Sequence, residues 1–369
     1  MRNFSNVQRI VIKLGTNILA PNGLPNEERI QCIARDVAQL RERGTNPILV
    51  SSGAIGFGVQ ALNMEGRPKK VALRQAAAAV GQPLLMDCWR RALQNHGISA
   101  AQILLSRESF DDRKAFLNLR NAVESLLALG TVPILNENDS VSTAEIGDVF
   151  GDNDSLSAHV ASKLDAGLLI LLTDIDAMYD SDPRSNPQAR PLRVVEEITE
   201  SIRSAAGSAG SSLGTGGMVT KVAAVEVAAR AGCRTILADG RIQGVLTRLY
   251  DGEELGTLFL AGKRMGARNR WILGARPRGT ISVDDGALSA LARRKSLLPK
   301  GIIAVEGQFD VGDVVSIGTQ YRALVSMGSE EIRRVQGKHT REIESILGKG
   351  RREEVIRAED IVPLPPSSC

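Results

Sequence analysis

The chain has 369 residues, 43% hydrophobic and 24% charged, a composition that excludes a disordered or collagenous protein and predicts a large core with more than one domain. No apolar run approaches the roughly 20 residues of a membrane-spanning helix, and Met1-Arg2-Asn3-Phe4-Ser5 lacks the apolar stretch of a secretory signal, so the expected location is the cytoplasm, with no membrane partner. The net charge of +4 is not focused on the C-terminal quarter, where residues 280–369 carry 13 basic and 13 acidic side chains, and no general nucleic-acid footprint is expected.

The first 240 residues alternate short β-branched runs with longer helical patterns. Strands are predicted at Arg9 to Leu14, Pro47 to Ser51, Ser99 to Leu105, Thr131 to Leu135, Gly167 to Thr173 and Arg234 to Ala238. Helices are predicted at Glu27 to Arg43, Val71 to Asn95, Phe116 to Leu129, Ser155 to Asp165 and Met218 to Ala231, the second kinked or split by Gln82-Pro83. This order predicts an α/β fold whose mainly parallel sheet is covered on both faces. Tyr179 to Arg193, with three prolines, reads as an ordered excursion, and Ser201 to Gly217, dense in Gly, Ser and Ala, as a mobile loop. Beyond Arg278 short strands recur at Gly279 to Val283, Gly301 to Val305, Asp313 to Ile317 and Arg322 to Ser326, a second, small β-rich domain. Cys32, Cys88, Cys233 and Cys369 and the three histidines are scattered, so neither a disulfide framework nor a zinc site is expected.

Six places with polar chemistry fall at predicted strand ends or helix starts, the edge where open α/β sheets hold ligands. Two are acidic and amide-rich: Asn136-Glu137-Asn138-Asp139 after the fourth strand, and Gly151-Asp152-Asn153-Asp154 before the following helix. Each alone could be turn and cap chemistry; together they gather many polar groups beside one strand. Gly214-Thr-Gly-Gly-Met-Val-Thr-Lys221 opens a helix, where close backbone approach, unpaired N–H groups and a lysine suit an anion. The spacing is not that of the Walker A motif, and a flexible linker is the alternative. Lys13 ends an apolar strand, where it either meets a negative partner or reaches out to solvent. Ser51-Ser52-Gly53-Ala54 and Thr173-Asp174 complete the set. Two lysines, a glycine-rich helix start and several carboxylates on one edge suit phosphoryl transfer.

Val11-Ile12-Lys13-Leu14-Gly15, Ser51-Ser52-Gly53-Ala54, the two acid-amide clusters and the Gly214–Lys221 loop together resemble the amino acid kinase family, in its glutamate-phosphorylating branch. Ser296-Leu-Leu-Pro-Lys-Gly301 and the β-rich tail resemble a PUA domain. The resemblance implies a three-layer sandwich and divides the chain into a catalytic domain (1–265), a linker (266–278), a PUA-like domain (279–357) and a tail (358–369). It implies that Lys13, Asp154 and Lys221 are catalytic, the lysines neutralising the transferring phosphoryl and Asp154 positioning them. Ser52, Asp139 and Asn153 would bind glutamate, with Asn138 and Asp152 beside them. Lys13, Thr173, Asp174, Thr215, Gly216, Gly217, Met218, Val219, Thr220 and Lys221 would hold ATP. It further implies Mg²⁺ without a direct protein ligand, the first step of proline synthesis, inhibition by proline, hand-over of product to glutamate-5-semialdehyde dehydrogenase, and a homo-oligomer, dimer or tetramer. Ser51 stands where the family pattern leads one to expect threonine.

Overall fold

A computed structural model describes residues 2–106, 112–141, 153–208, 217–348 and 353–364. The chain divides into two compact units, Met1–Arg264 and Met265–Cys369. The first runs β1 (Arg9–Leu14), α1 (Thr16–Leu19), α2 (Glu27–Glu42), β2 (Asn46–Ser51), α3 (Ala54–Ala61), α4 (Val71–Gln94), β3 (Ala100–Leu105), α5 (Arg113–Ala128) and β4 (Val132–Glu137). It continues through α6 (Asn153–Lys163), β5 (Leu168–Thr173), β6 (Val194–Val195), α7 (Glu200–Ser208), α8 (Met218–Arg230), β7 (Arg234–Asp239), α9 (Val245–Tyr250) and β8 (Thr257–Phe259).

The strands form one sheet in the order β3-β4-β2-β1-β5-β7-β8-β6. Every neighbouring pair is parallel except β7 and β8. β5, Leu-Leu-Ile-Leu-Leu-Thr, is buried at every position, because helices cover both faces of a parallel sheet. Period-two alternation sorts β1: Ile10, Ile12 and Leu14 pack with Ile33, Val37 and Trp89 of α2 and α4, while Val11 packs with Leu156 of α6 and Val222 and Val225 of α8. Lys13 shares the parity of Val11, and so is set on the α6 and α8 side. The chain builds β2, β3 and β4 on one side of β1 and β5 on the other, which places the topological switch point, the usual ligand crevice, between β1 and β5.

Several elements depart from the sequence pattern for local reasons. α5 begins at Arg113, three residues early, because the Asp112 carboxylate caps it by accepting from the Ala115 N–H. α6 begins at Asn153, so Asn153 and Asp154 lie in its first turn rather than before it. Pro83 does not split α4, which runs unbroken through it. It is held against α3 by two glycines: a Cβ on Gly58 would lie 1.7 Å from the Ala77 carbonyl oxygen, and one on Gly81 1.8 Å from that of Ala54. The first residues of the expected mobile loop form α7, whose Ile202 and Ala206 join the core; residues 209–216 lie outside the described part. Tyr179 to Arg193 is ordered as expected, closed by a bridge between Tyr179 and Pro191.

The second unit folds around a five-stranded sheet, ordered β10-β9-β11-β12-β13, of β9 (Gly279–Val283), β10 (Ile302–Gly307), β11 (Val314–Ile317), β12 (Tyr321–Leu324) and β13 (Ile361–Pro363). Residues 266–278, expected as a linker, include helix α10 (Ala267–Gly274), whose Ile272 packs with Ala275, Val314 and Val362. The expected tail, 358–369, supplies β13, paired antiparallel to β12. Among the described residues no helix is long and apolar enough to cross a membrane.

Candidate active site

The registry of β1 aligns the carboxyl ends of three strands: Leu14 stands beside Ser51 of β2 and Leu172 of β5. The Gly15 N–H donates to the Leu172 carbonyl and the Ser52 N–H to that of Leu14, carrying the pairing one residue past the strands. Gly15 is followed by α1, and Gly53 starts α3 at φ +108°, a left-handed conformation that only glycine adopts without strain. Backbone is thereby turned away at the edge, and side chains converge there.

At the centre is Asp154, fully buried in the first turn of α6. Its Oδ1 lies 2.5 Å from Lys13 Nζ and its Oδ2 3.0 Å from Lys221 Nζ. Both lysines are buried, at 5% exposure each. Burying an ammonium group is costly unless it is paired, and one carboxylate shared between two leaves the triad with a net positive charge. Such a site is ready for an anion. Thr220 Oγ donates to the Gly217 carbonyl at 2.8 Å, and the Asp154 main-chain carbonyl accepts from Ser157 Oγ at 2.7 Å. α8 starts at Met218 after Gly217, which is extended and makes no side-chain cap bond, and a helix start directs its first N–H groups outward, an anion-binding arrangement. Of the loop residues, Met218 is buried, Gly217 and Thr220 half-buried and Val219 exposed. Thr215 and Gly216 lie outside the described residues.

Thr173 and Asp174 close β5 on the same edge. Asp174 Oδ2 accepts from Asn17 Nδ2 at 2.9 Å and Oδ1 from Thr173 Oγ at 3.1 Å. Burial alone would push this carboxyl up, but the bonds from Asn17 and Thr173, with the Lys221 charge, hold it below the usual aspartate range. Asp174 is therefore a fixed anion. Its main-chain carbonyl accepts from Arg241, whose guanidinium also pairs with Asp239 at the end of β7.

On the other side of Lys13, Asn153 Nδ2 donates to Ser52 Oγ at 2.8 Å, Asn136 Oδ1 at 3.0 Å and the Ser51 carbonyl at 3.3 Å. The two acid-amide clusters are thus joined in space. Asn138 and Asp139 line a cavity of about 190 Å³ with Ala54, Ala78, Gln82 and Pro83. Burial raises the Asp139 carboxyl above its ordinary value, a rise that the charges of Arg67 and Arg74 partly offset. Asp152 lies outside the described residues. The structure therefore brings together Lys13, Ser52, Asn153, Asp154 and Lys221 by direct or shared contacts. Sequence reasoning missed Gln82, Trp89, Asn17 and Arg241. Asn17 lies two residues past Gly15, the end of the Val11–Gly15 run, whereas nothing local marks the contacts of Gln82 or Trp89.

The profile of the amino acid kinase family matches residues 8–239, well over half the chain. The chain belongs to the amino acid kinase family. A PUA domain profile matches residues 279–347. A glutamate 5-kinase of Methanosarcina barkeri is 45% identical over 97% of both chains, and one of Geobacter sulfurreducens 46% identical over 98% of both. Among solved structures, a UMP kinase from Bacillus anthracis is similar at a TM-score of 0.45 and 16% identity, over 69% of this chain and 96% of that one. In this member of the family the start of α8, the strand-end lysine and the shared aspartate all stand on the sheet edge described above.

Proposed function

We propose that this chain catalyses ATP-dependent phosphorylation of the γ-carboxylate of L-glutamate, giving L-glutamyl 5-phosphate and ADP, the first step of proline synthesis. The observation that carries the reading is the buried Lys13–Asp154–Lys221 triad next to the Ser52–Asn153 pair. A γ-carboxylate oxygen attacks the terminal phosphorus of ATP, the bond to the β–γ bridging oxygen breaks, and ADP leaves with that electron pair. The attacking carboxylate is ionised near neutral pH, so the step needs orientation and charge relief rather than a general base. Lys13 and Lys221 supply the relief, spreading the charge of the moving phosphoryl. Thr173, Asp174 and residues 215–221 hold the nucleotide. Among the described residues no cluster of three metal-binding side chains occurs, and both Asp154 oxygens face ammonium groups, a donor set that suits Mg²⁺ entering on the phosphates of its nucleotide as part of the substrate.

Asp139 and Asn153 take the α-ammonium group and Ser52 a carboxylate. An acidic subsite disfavours N-acetylglutamate, which has no free ammonium, and a nucleoside monophosphate. Proline keeps the α-nitrogen and α-carboxylate, and it inhibits by taking the same subsite. The product, a reactive acyl phosphate, passes to glutamate-5-semialdehyde dehydrogenase. Residues 1–265 form the catalytic domain and 279–357 the PUA-like domain, in a cytoplasmic homo-oligomer. Exposed Leu73, Val80 and Leu84, which recur along one face of α4, support that assembly. The deciding experiment measures ADP release with glutamate, aspartate, N-acetylglutamate and UMP in parallel and traps the product with hydroxylamine. Glutamyl hydroxamate is the expected product, and its absence would overturn the assignment.

Asp139 gives this reading a pH signature. Only its ionised form attracts an ammonium group, and its carboxyl is raised by burial. As pH falls through that raised value, a proton competes with glutamate, so the glutamate KM rises at a higher pH than an ordinary aspartate would give. Asp139→Ala is expected to raise the glutamate KM about 10- to 100-fold, the worth of a charged hydrogen bond, to flatten this acid limb and to leave the ATP KM nearly unchanged. Equal effects on both substrates would remove Asp139 from the glutamate subsite.

A further inference from the structure

Helix α4 sends two buried polar side chains toward the ends of β2 and β4. Gln82 and Trp89 are seven residues apart, two helical turns, and so share a face. Trp89 Nε1 donates to Ser51 Oγ at 3.0 Å. Gln82 Oε1 accepts from Asn136 Nδ2 at 2.8 Å, and Asn136 Oδ1 accepts from Asn153 Nδ2 at 3.0 Å and from the Glu137 N–H at 2.9 Å. Neither α4 residue belongs to a motif that the function has absorbed.

The direction of every bond in this chain of amides is fixed by its two backbone anchors. The Glu137 N–H can only donate, so the oxygen of Asn136 must face it. The Ser51 carbonyl can only accept, so the nitrogen of Asn153 must face that group. Asn136 is left presenting its NH₂ to Gln82, which answers with its oxygen. Asn153 then spends both N–H bonds on Ser52 Oγ, Asn136 Oδ1 and the Ser51 carbonyl, and has only Oδ1 to offer a ligand. Ser52 Oγ, already accepting from Asn153, keeps its own proton to donate.

We propose that Gln82 is a positioning residue that, through Asn136, secures the substrate subsite in the hydrogen-bond polarity its backbone anchors define: Asn153 accepts and Ser52 donates. The proposal rests on the glutamate reading and deepens it. An accepting Asn153 beside the Asp139 carboxylate selects the α-ammonium, and a donating Ser52 selects a carboxylate. Without the Gln82 acceptor, the buried Asn136 NH₂ loses that partner, and only the bonds to its Oδ1 are left to hold the amide in place. Asn153 then loses one of the three acceptors that hold its nitrogen inward, and its Oδ1 is set less firmly toward the ammonium.

The test compares wild type, Gln82→Met and Gln82→Glu in the hydroxamate assay with glutamate and with glutarate, which has the same two carboxylates but no ammonium. Gln82→Met is expected to raise the glutamate KM about tenfold, the worth of one hydrogen bond, with the ATP KM within about twofold, and to lower the preference for glutamate over glutarate by a similar factor. Gln82→Glu still accepts from Asn136 and should stay near wild type in that preference. Gln82→Asn, polar but too short to reach Asn136, serves if the methionine variant does not fold, and should behave as that variant would. Equal rises in both KM values, an unchanged preference, or a glutamate variant as impaired as the methionine one would overturn the proposal. Failure of wild type to form glutamyl hydroxamate would instead overturn the substrate reading beneath it.

Discussion

Asp154→Ala is expected to lower kcat for glutamate phosphorylation by about 10³-fold, at the upper end of what one electrostatic group contributes to a transition state. The carboxylate does not touch the reacting atoms. It holds Lys13 Nζ and Lys221 Nζ at 2.5 Å and 3.0 Å on opposite oxygens, and without it two buried like charges push apart. The variant is also expected to lose about 3–5 kcal/mol of stability, the usual cost of stranding a buried charge. These two effects separate in a double-mutant cycle. Adding Lys13→Met to Asp154→Ala removes one stranded ammonium, so urea denaturation should show part of the stability restored. Turnover should not recover, because the triad's net positive charge is no longer held in place for the phosphoryl. Wild-type turnover in folded Asp154→Ala alone would show that Asp154 acts on folding and has no role in placing the lysines.

The same triad shows why so much of the site was legible in the sequence. Apolar parallel strands, whose side chains alternate between the two covered faces, fix which residue ends each strand and which face it serves, so Lys13, Ser52 and Thr173 could be placed on one edge from pattern alone. Asp154 and Asn153 were found as a cluster, but their helix began two residues earlier than its apolar pattern suggested. That shift turns them from caps into first-turn residues whose side chains face across the sheet end. What pattern could not supply was partnership between distant elements. Gln82 and Asn136 are 54 residues apart in the chain, and a glutamine in a long helix carries no local mark of the strand end it will meet. The helix α7 was hidden for a related reason. Its Ser, Ala and Gly content reads as a loop, yet Arg203 pairs with Glu200 beside it and Glu226 of α8, and Ile202 packs on the core, so tertiary contacts decide the conformation.

Gly81→Val is expected to destabilise the catalytic unit by about 3 kcal/mol or more, the high end for overpacking, because the clash is with backbone. A Cβ there would lie 1.8 Å from the Ala54 carbonyl oxygen and 2.3 Å from the Gly58 nitrogen, and neither can move without separating α3 from α4. Gly97→Ala is the control. Unlike Gly81 it has a left-handed φ, +71°, but nothing lies within 4 Å of its Cβ position, so only backbone strain of about 1 kcal/mol is expected. The separation of helices has a functional reading as well. Ala54 begins α3 directly after Ser52 and Gly53, and Gln82 follows Gly81, so moving α4 off α3 pulls the Gln82–Asn136 bond away from the Ser52–Asn153 pair. Where Gly81→Val still folds, as read by its urea transition, its glutamate KM should rise more than its ATP KM, since Lys13, Asp154 and Lys221 are held by β1, α6 and α8 rather than by α4. A urea midpoint no lower than that of Gly97→Ala would mean that the close approach of the two helices is not what holds this side of the site together.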